Sequence, residues 1–267
     1  MNEFRGKRVL VTGSTDGIGF STAGKLSALG AHVVVHGRDP ERVQRASARV
    51  PRSESLVADL SSLGAVRRLV EKLKESPPLA LLINNAGVGA GPSRGSRRTS
   101  ADGFELCWAV NFLAPFALTE WLVLDRASPR AVVNVASLGL EDIDFDDPET
   151  TRGYDGLVAY RRSKLAMIAW TFDLAERFPL MRINAVHPGT FLGSKMVQEM
   201  GVATQGTVES GAEAVVDVAR RTLGGDGHGA FFDQKHESHA REQAYDPQVR
   251  RRLRRLAQDQ VRQAAVA

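Results

Sequence analysis

Short apolar runs alternate with longer amphipathic stretches along this 267-residue chain, and that alternation restricts the fold more than any other feature. The runs are RVLVT (8–12), AHVVVH (31–36), SLVA (55–58), LALLIN (79–84), AVVNVAS (131–137), RINAVHP (182–188) and GAFFD (229–233). They lack a two-residue alternation of apolar and polar side chains, as expected for strands buried on both faces of a parallel sheet. Helical stretches lie between them, over about 17–29, 40–48, 62–75, 100–125, 156–178 and 208–222. This order predicts an α/β fold: a doubly wound parallel sheet of about seven strands, with right-handed crossovers and helices on both faces. Ligands of such sheets bind beyond the carboxyl ends of the strands.

At 43% hydrophobic residues the chain can bury a full core, and no linker, low-complexity block or repeat interrupts it. One domain over 1–267 is expected. The opening MNEFRGKRVLVTG enters a strand within a few residues and has neither the apolar run of a signal peptide nor a transmembrane segment. Cys107 is the sole cysteine, which excludes an internal disulfide and a cysteine-cluster metal site; the six histidines show no ligand spacing. A soluble, cytoplasmic, metal-free protein is expected. The net charge of +4 comes largely from arginine, 28 Arg against 7 Lys, much of it in RRRLRR (250–255). There Val249, Leu253, Leu256 and Val261 recur at roughly helical spacing, which puts most of the arginines on the wet side of an amphipathic helix. No aromatic residues interleave with the basic ones, so nucleic acid is not an expected partner.

The first run leads into Thr12, Gly13, Ser14, Thr15, Asp16, Gly17, Ile18 and Gly19. Glycines let the backbone approach a diphosphate closely, and a helix starting at Gly17 aims its N–H groups at the anion. The spacing is G-x3-G-x-G; a plain tight turn would need only one or two of these glycines. The second run ends His36-Gly37-Arg38-Asp39. Where NAD sites usually place an acid against the adenosine ribose, Gly37 has no side chain, and Arg38 can fork onto a 2′-phosphate. NADP(H) is therefore favoured over NAD(H). The plainer reading makes Arg38 an exposed helix-entry residue and Asp39 the cap of a helix beginning at Pro40. Asp59 and Leu60 close the third run, with Asp59 placed to bond the adenine amine, to cap the next helix, or both. Asn84-Asn85-Ala86-Gly87 closes the fourth; its small residues leave room for a flat ring and ribose, although Asn and Gly also suit an ordinary turn.

TGSTDGIG, NNAG, Asn111, Ser137, YRRSK (160–164) and HPG (187–189), in this order and over nearly the whole chain, resemble the short-chain dehydrogenase/reductase family. GRDPER, DGFELCWAVNFLAPFALT, YRRSKLAM and HPGT are most similar to its retinol-dehydrogenase-like branch and that branch's bacterial relatives. The resemblance implies a Rossmann-type domain, a nicotinamide cofactor, and a catalytic set of Asn111, Ser137, Tyr160 and Lys164. It implies cofactor contacts from each of residues 13–19, from Arg38, Asp59, Leu60, Asn85, Ala86 and Gly87, from Tyr160 and Lys164, and from Pro188, Gly189 and Thr190. It further implies that Lys164 holds the nicotinamide ribose and that Asn111 binds a water linking Lys164 to solvent.

Tyr160 and Lys164 lie one turn apart on the helix expected over 156–178 and so share a face. A free phenol, with a pKa of about 10, exchanges protons poorly near neutrality. A neighbouring ammonium and a positive nicotinamide are expected to lower that value and fit Tyr160 for general acid/base work. Ser137, leaving the fifth run, would hydrogen-bond the substrate oxygen as charge develops on it. The expected reaction moves hydride between a nicotinamide and an alcohol or carbonyl carbon while Tyr160 moves the proton. Taken singly, each residue has a structural reading: Tyr160 a boundary residue, Lys164 a solvated face, Ser137 a cap, Asn111 a buried polar plug. Ser163 reads as a small packing residue and His187 as a hydrogen-bonded histidine before Pro188.

Substrate identity is expected in three segments. Residues 138–159 are acidic and read as one wall of the entrance or as a solvated surface loop. Residues 190–210 resemble a lid, with Phe191, Leu192, Met196 and Met200 facing either ligand or core. The tail from about 234 to 267 either folds over the pocket or packs against a partner subunit. The apolar lid residues suggest a lipophilic carbonyl or alcohol as the small-molecule partner. The resemblance also allows a homodimer or homotetramer through the helices of 100–125 and 156–178. Two other functions share these features: an NADP-binding regulatory protein, which would not need Ser137, Tyr160 and Lys164 together, and a sugar epimerase or dehydratase, for whose added substrate domain the chain has no room.

Overall fold

The computed structural model describes residues 3–91, 95–123, 129–199 and 201–264. β1 (Arg8–Val11) runs into α1 (Gly17–Ala28), and the unit repeats through β2 (His32–Gly37), α2 (Pro40–Arg49), β3 (Ser53–Val57), α3 (Leu63–Lys74) and β4 (Leu81–Asn84). A composite helix follows: α4 (Leu106–Trp108), a π-helical turn over Ala109–Leu113, and α5 (Ala114–Val123). Then come β5 (Ala131–Val135), α6 (Gly156–Arg177), β6 (Arg182–His187), α7 (Lys195–Glu199) and α8 (Val208–Gly224). β7 (Ala230–Asp233), β8 (His236–Ser238), a 3-10 turn (Glu242–Tyr245) and α9 (Pro247–Ala264) complete the chain. The strands form one sheet in the order β3-β2-β1-β4-β5-β6-β7-β8. The order reverses between β1 and β4, which opens a crevice at their carboxyl ends.

Both faces of the sheet are covered, and this is why the strands read as unbroken apolar runs. Val9, Val11, Val33, Val35, Leu81 and Ile83 pack toward Leu26 of α1 and Val215 and Val218 of α8. Their neighbours Leu10, Val34, Leu82 and Val132 pack the other way, toward Leu69 of α3, Leu118 of α5 and Leu165 of α6. Side-chain caps start the helices where the sequence provides Asp or Ser: Asp16 for α1, Asp39 with Pro40 for α2, Ser62 for α3 and Asp155 for α6.

The structure refines the sequence reading in four places. The sheet has an eighth strand: β8 pairs antiparallel with β7, and its HES sequence carries no apolar run to betray it. β3 begins at Ser53 rather than 55 because it lies at the sheet edge, where half-wet polar residues are tolerated. The helix expected over 100–125 starts only at Leu106 and contains the π-helical turn; Thr99 and Glu105 instead form an isolated antiparallel bridge. Finally, the arginines of α9 are not all on its wet side. Arg250 is 8% exposed and pairs with Glu176 at 2.6 Å, and Arg254 reaches Asp173 at 2.7 Å, both on α6.

α9 thus packs on α6 through Leu253, Ala257 and Val261, and the tail folds onto its own chain. α6 is accordingly buried along most of its middle, from Ser163 to Ala175, with Trp170 and Phe172 both inside. Leu106–Val123 is apolar and long enough by composition to cross a membrane, but 83% of that window is buried inside the protein.

Candidate active site

The turn after β1 is held by backbone groups and by side chains from two neighbouring strands. Thr12 Oγ1 accepts from the N–H groups of Asn85 and Ala86, each at 3.0 Å, and Asn85 Nδ2 donates to Thr12 O at 2.9 Å. The ends of β1 and β4 are therefore stitched together. Gly13 has φ +64°, and its N–H donates to His36 Nδ1 at 3.2 Å. Ser14 and His36 exchange hydrogen bonds, with Ser14 N donating to His36 O and His36 N to Ser14 Oγ, both at 2.9 Å. Gly19 cannot be otherwise: a Cβ there would stand 2.3 Å from Gly13 O and 2.4 Å from Asn85 Nδ2. His36 is a residue that motif reading overlooked. Burial lowers its pKa to about 4, so it stays a neutral acceptor for Gly13.

At the end of β2, Asp39 caps α2 through the Arg42 N–H at 3.0 Å, as the plainer reading has it, while Arg38 is exposed. No hydrogen bond or ion pair to another described residue engages the Arg38 guanidinium. Asp59 is exposed and accepts from Ser61 N at 2.9 Å; the cap of α3 is Ser62, not Asp59. Leu60 is buried beside Leu63 in the core, which leaves only its backbone for a ligand. Arg42, not singled out from the sequence, pairs with Asp16 at 3.0 Å.

The expected catalytic residues converge at the end of β5. Ser137 stands close enough to Tyr160 to favour its phenolate, and Ser137 Oγ accepts from Gly139 N at 3.1 Å. Lys164, 4% exposed, donates from Nζ to Val135 O at 2.9 Å, with Nζ 5.8 Å from the Tyr160 ring centre. Asn111 sits in the π-helical turn, accepting from Val88 N at 2.8 Å and donating to Val88 O and Ser163 Oγ, each at 3.0 Å. Its side chain fixes the strand exit at residue 88, and Ser163 is a hydrogen-bonding partner as well as a packing residue. Of the two expected causes of a lowered Tyr160 pKa, the Lys164 ammonium does not supply one. Burial raises the Tyr160 pKa, with Ser137 only partly opposing, and the Lys164 ammonium donates to the Val135 carbonyl. Burial also lowers Lys164 to about 8.

Beyond β6, His187 Nε2 hydrogen-bonds Thr190 Oγ1 at 3.1 Å, spanning Pro188 and Gly189, whose φ is +133°. Leu192 is not a ligand-facing lid residue: it is 5% exposed and crowds Gly189, Gly206 and Gly211. Met196 is only partly buried and lies against Gly89, where a Cβ would stand 2.8 Å from its Cγ. Phe191 is half-buried, and Met200 lies outside the described residues.

The short chain dehydrogenase profile matches residues 7–204. The chain belongs to the short-chain dehydrogenase family. Among its relatives, human retinol dehydrogenase 14 is 36% identical over 210 residues, covering 69% of this chain and 61% of the relative. Human polyprenol dehydrogenase is 35% identical over 199 residues, covering 67% and 59%. The chain spans about three fifths of these relatives' length, and it falls in the retinol-dehydrogenase-like branch of the family. An uncharacterized protein from Mycobacterium Paratuberculosis matches with TM-score 0.80, 27% identity and coverage of 97% and 94%. A short chain dehydrogenase from Burkholderia cenocepacia J2315 in complex with NADP matches with TM-score 0.68, 26% identity and coverage of 88% and 98%.

Short-chain dehydrogenases use nicotinamide cofactors, and the residues here fit one. At Gly87 a Cβ would stand 3.2 Å from Asn111 Oδ1 and 3.6 Å from Lys164 Nζ, so glycine keeps the space beside the lysine open. Gly17, with φ +54°, leaves the first turn of α1 uncovered except by Ser194 at 4.0 Å. On the far side of the candidate site, the 138–159 segment is ordered by hydrogen bonds. Asp147 accepts from Thr151 N, Thr151 Oγ1 and Arg152 N; burial raises its pKa, but these bonds outweigh it and hold the carboxyl at about 2. Arg162, the third residue of YRRSK, donates to Asp147 O at 3.0 Å and Asp142 O at 3.2 Å. Behind it lies a polar network that motif reading missed. Buried Glu105 accepts from Trp108 N at 2.7 Å and Tyr154 Oη at 3.0 Å, and Gln260 of α9 bridges Trp108 Nε1 and Glu149.

Proposed function

We propose that this chain is an NADP(H)-dependent oxidoreductase that interconverts an alcohol with its ketone or aldehyde, Tyr160 carrying the proton. The observation that carries the reading is the convergence of Ser137, Tyr160 and Lys164 at the end of β5, with Lys164 buried and its Nζ 5.8 Å from the centre of the phenol ring. A bound nicotinamide supplies or accepts the hydride. The chain's own residues do the remainder. Ser137 positions the substrate oxygen, and Tyr160, kept protonated by burial, donates its proton to that oxygen as a carbonyl becomes an alcohol. Lys164, when charged, favours the phenolate left behind. Reduction is the direction for which Tyr160 starts in the right state. Asn111 holds the 86–88 turn against α6, which keeps the space beside Lys164 in shape.

The 2′-phosphate preference is supported by the bare Gly37 and the disengaged Arg38, and agrees with the NADP complex of the Burkholderia relative. A lipophilic substrate is supported by Phe191 and Met196 on the proposed lid of 190–210, by exposed Leu138 next to Ser137, and by the retinol and polyprenol named in the human relatives. Self-association through α6 would have to displace α9, whose arginines occupy Asp173 and Glu176. The test is an NADPH-consumption screen across aliphatic, aromatic and terpenoid carbonyls, with Tyr160→Phe as control. We expect the variant to bind NADPH nearly as tightly while turnover drops by about 10²–10⁴-fold. Unimpaired turnover would remove Tyr160 from the chemistry.

A further inference from the structure

Asp16 opposes the use of the turn that contains it. It is exposed at the N-terminus of α1 and faces Arg42 of α2, the helix that follows the β2 end where the adenosine ribose belongs, so its carboxylate repels a 2′-phosphate placed there. One oxygen accepts from Gly17 N at 2.7 Å; the other accepts from Arg42 Nη2 at 3.0 Å, reaching across from the first turn of α2. The two side chains are 63% and 40% exposed, so the pair adds little to stability. Its consequence is local charge. Arg42 also lines, with Thr15, Arg45 and Arg49, a hollow of about 370 Å³ whose lining residues include no acid. Gly37 adds a steric condition. A Cβ there would stand 2.6 Å from Thr15 Cγ2 and 3.1 Å from Val43 Cγ2. An acidic side chain at 37, of the kind that accepts hydrogen bonds from an adenosine ribose, has no place while Thr15 keeps its methyl.

We propose that Thr15, Asp16 and Arg42 together set the preference for a 2′-phosphorylated dinucleotide. Arg42 neutralises Asp16 so that a phosphate dianion can settle beside it, and Thr15 shuts out the acid that the unphosphorylated nucleotide would need. Arg42 is a positioning residue acting through Asp16, and Arg38 does not decide selectivity alone. The inference rests on the reading of this edge as a dinucleotide cleft.

Fluorescence titrations of the full chain with NADPH and with NADH test it. Arg42→Ala should raise the NADPH Kd about tenfold, the low end for one charge-assisted hydrogen bond, and the NADH Kd much less. Its melting temperature should stay near wild type. The double variant Asp16→Asn/Arg42→Ala, in which asparagine still caps α1, should recover most of the lost NADPH affinity. Thr15→Ala/Gly37→Asp should gain NADH affinity, and Gly37→Asp alone should not. Equal losses for both nucleotides, no recovery in the double variant, or an NADH gain from Gly37→Asp alone would each overturn the proposal. A wild-type chain that binds neither nucleotide would instead overturn the cleft itself, before any variant is compared.

Discussion

The turn after β1 and the wall around Glu149 both border the candidate site, yet they are held together by different means. In the turn the bonds run to backbone groups and to residues at fixed places on adjacent strands: Thr12 to residues 85 and 86, Gly13 to His36. In the wall they run between side chains from remote parts of the chain, as from Trp108 to Gln260 or from Gln260 to Glu149. The first arrangement demands particular residue types, glycine above all, and leaves a motif. The second demands only that a donor meet an acceptor, and leaves none. The candidate catalytic residues sit where the two meet, since Asn111 follows Trp108 by one turn and Tyr160 shares α6 with Arg162, which contacts Asp147.

The contrast can be broken at either end. The largest effect should come from Gly19→Ala, whose methyl meets backbone and amide at under 2.5 Å; overpacking of that kind should cost at least about 3 kcal/mol in urea unfolding and abolish nucleotide binding. Acid should loosen the turn next. His36 has its pKa lowered from 6.5 to about 4 by burial, so between those values the unfolded chain binds the proton and the folded chain does not. Its stabilisation, of the order of 3 kcal/mol, is complete above pH 6.5 and is lost as pH falls toward 4. Stability measured against pH should lose that part of its slope in His36→Asn. The wall has its own limit lower down: Asp147, with its pKa down from 3.8 to about 2, keeps its contribution until pH drops below 3.8.

Within the wall, Glu105→Ala strands the Trp108 N–H and the Tyr154 hydroxyl, and should cost about 2 kcal/mol in chemical denaturation while leaving nucleotide affinity close to wild type. Loss of NADPH binding in that variant would show the two regions to be one unit. The smallest effect is expected from Arg254→Ala. Its partner Asp173 retains Arg177 at 3.4 Å and the pair is partly wet, so about 1 kcal/mol in the same assay is expected. A much larger loss would mean that α9 is integral to the core rather than a cover on α6.

Much of the fold was legible because a strand sandwiched between helices must be apolar on both sides, and such runs stand out. β8 and the polar start of β3 escaped because sheet edges relax that demand. The glycine turn and the Tyr160–Lys164 pair were legible because close backbone approach and one-turn helical spacing restrict which residues can serve, whereas Ser137 was reached through the family resemblance. Residue order therefore determined the layered sheet, the edge where a nucleotide would lie and the residue types gathered there. Tertiary structure alone decided that burial, only partly opposed by Ser137, raises the Tyr160 pKa, that Arg42 answers Asp16, and that α9 turns two arginines inward onto α6. The reason is common to all three. Desolvation and pairing depend on what surrounds a group in space, and groups far apart in the chain set those surroundings.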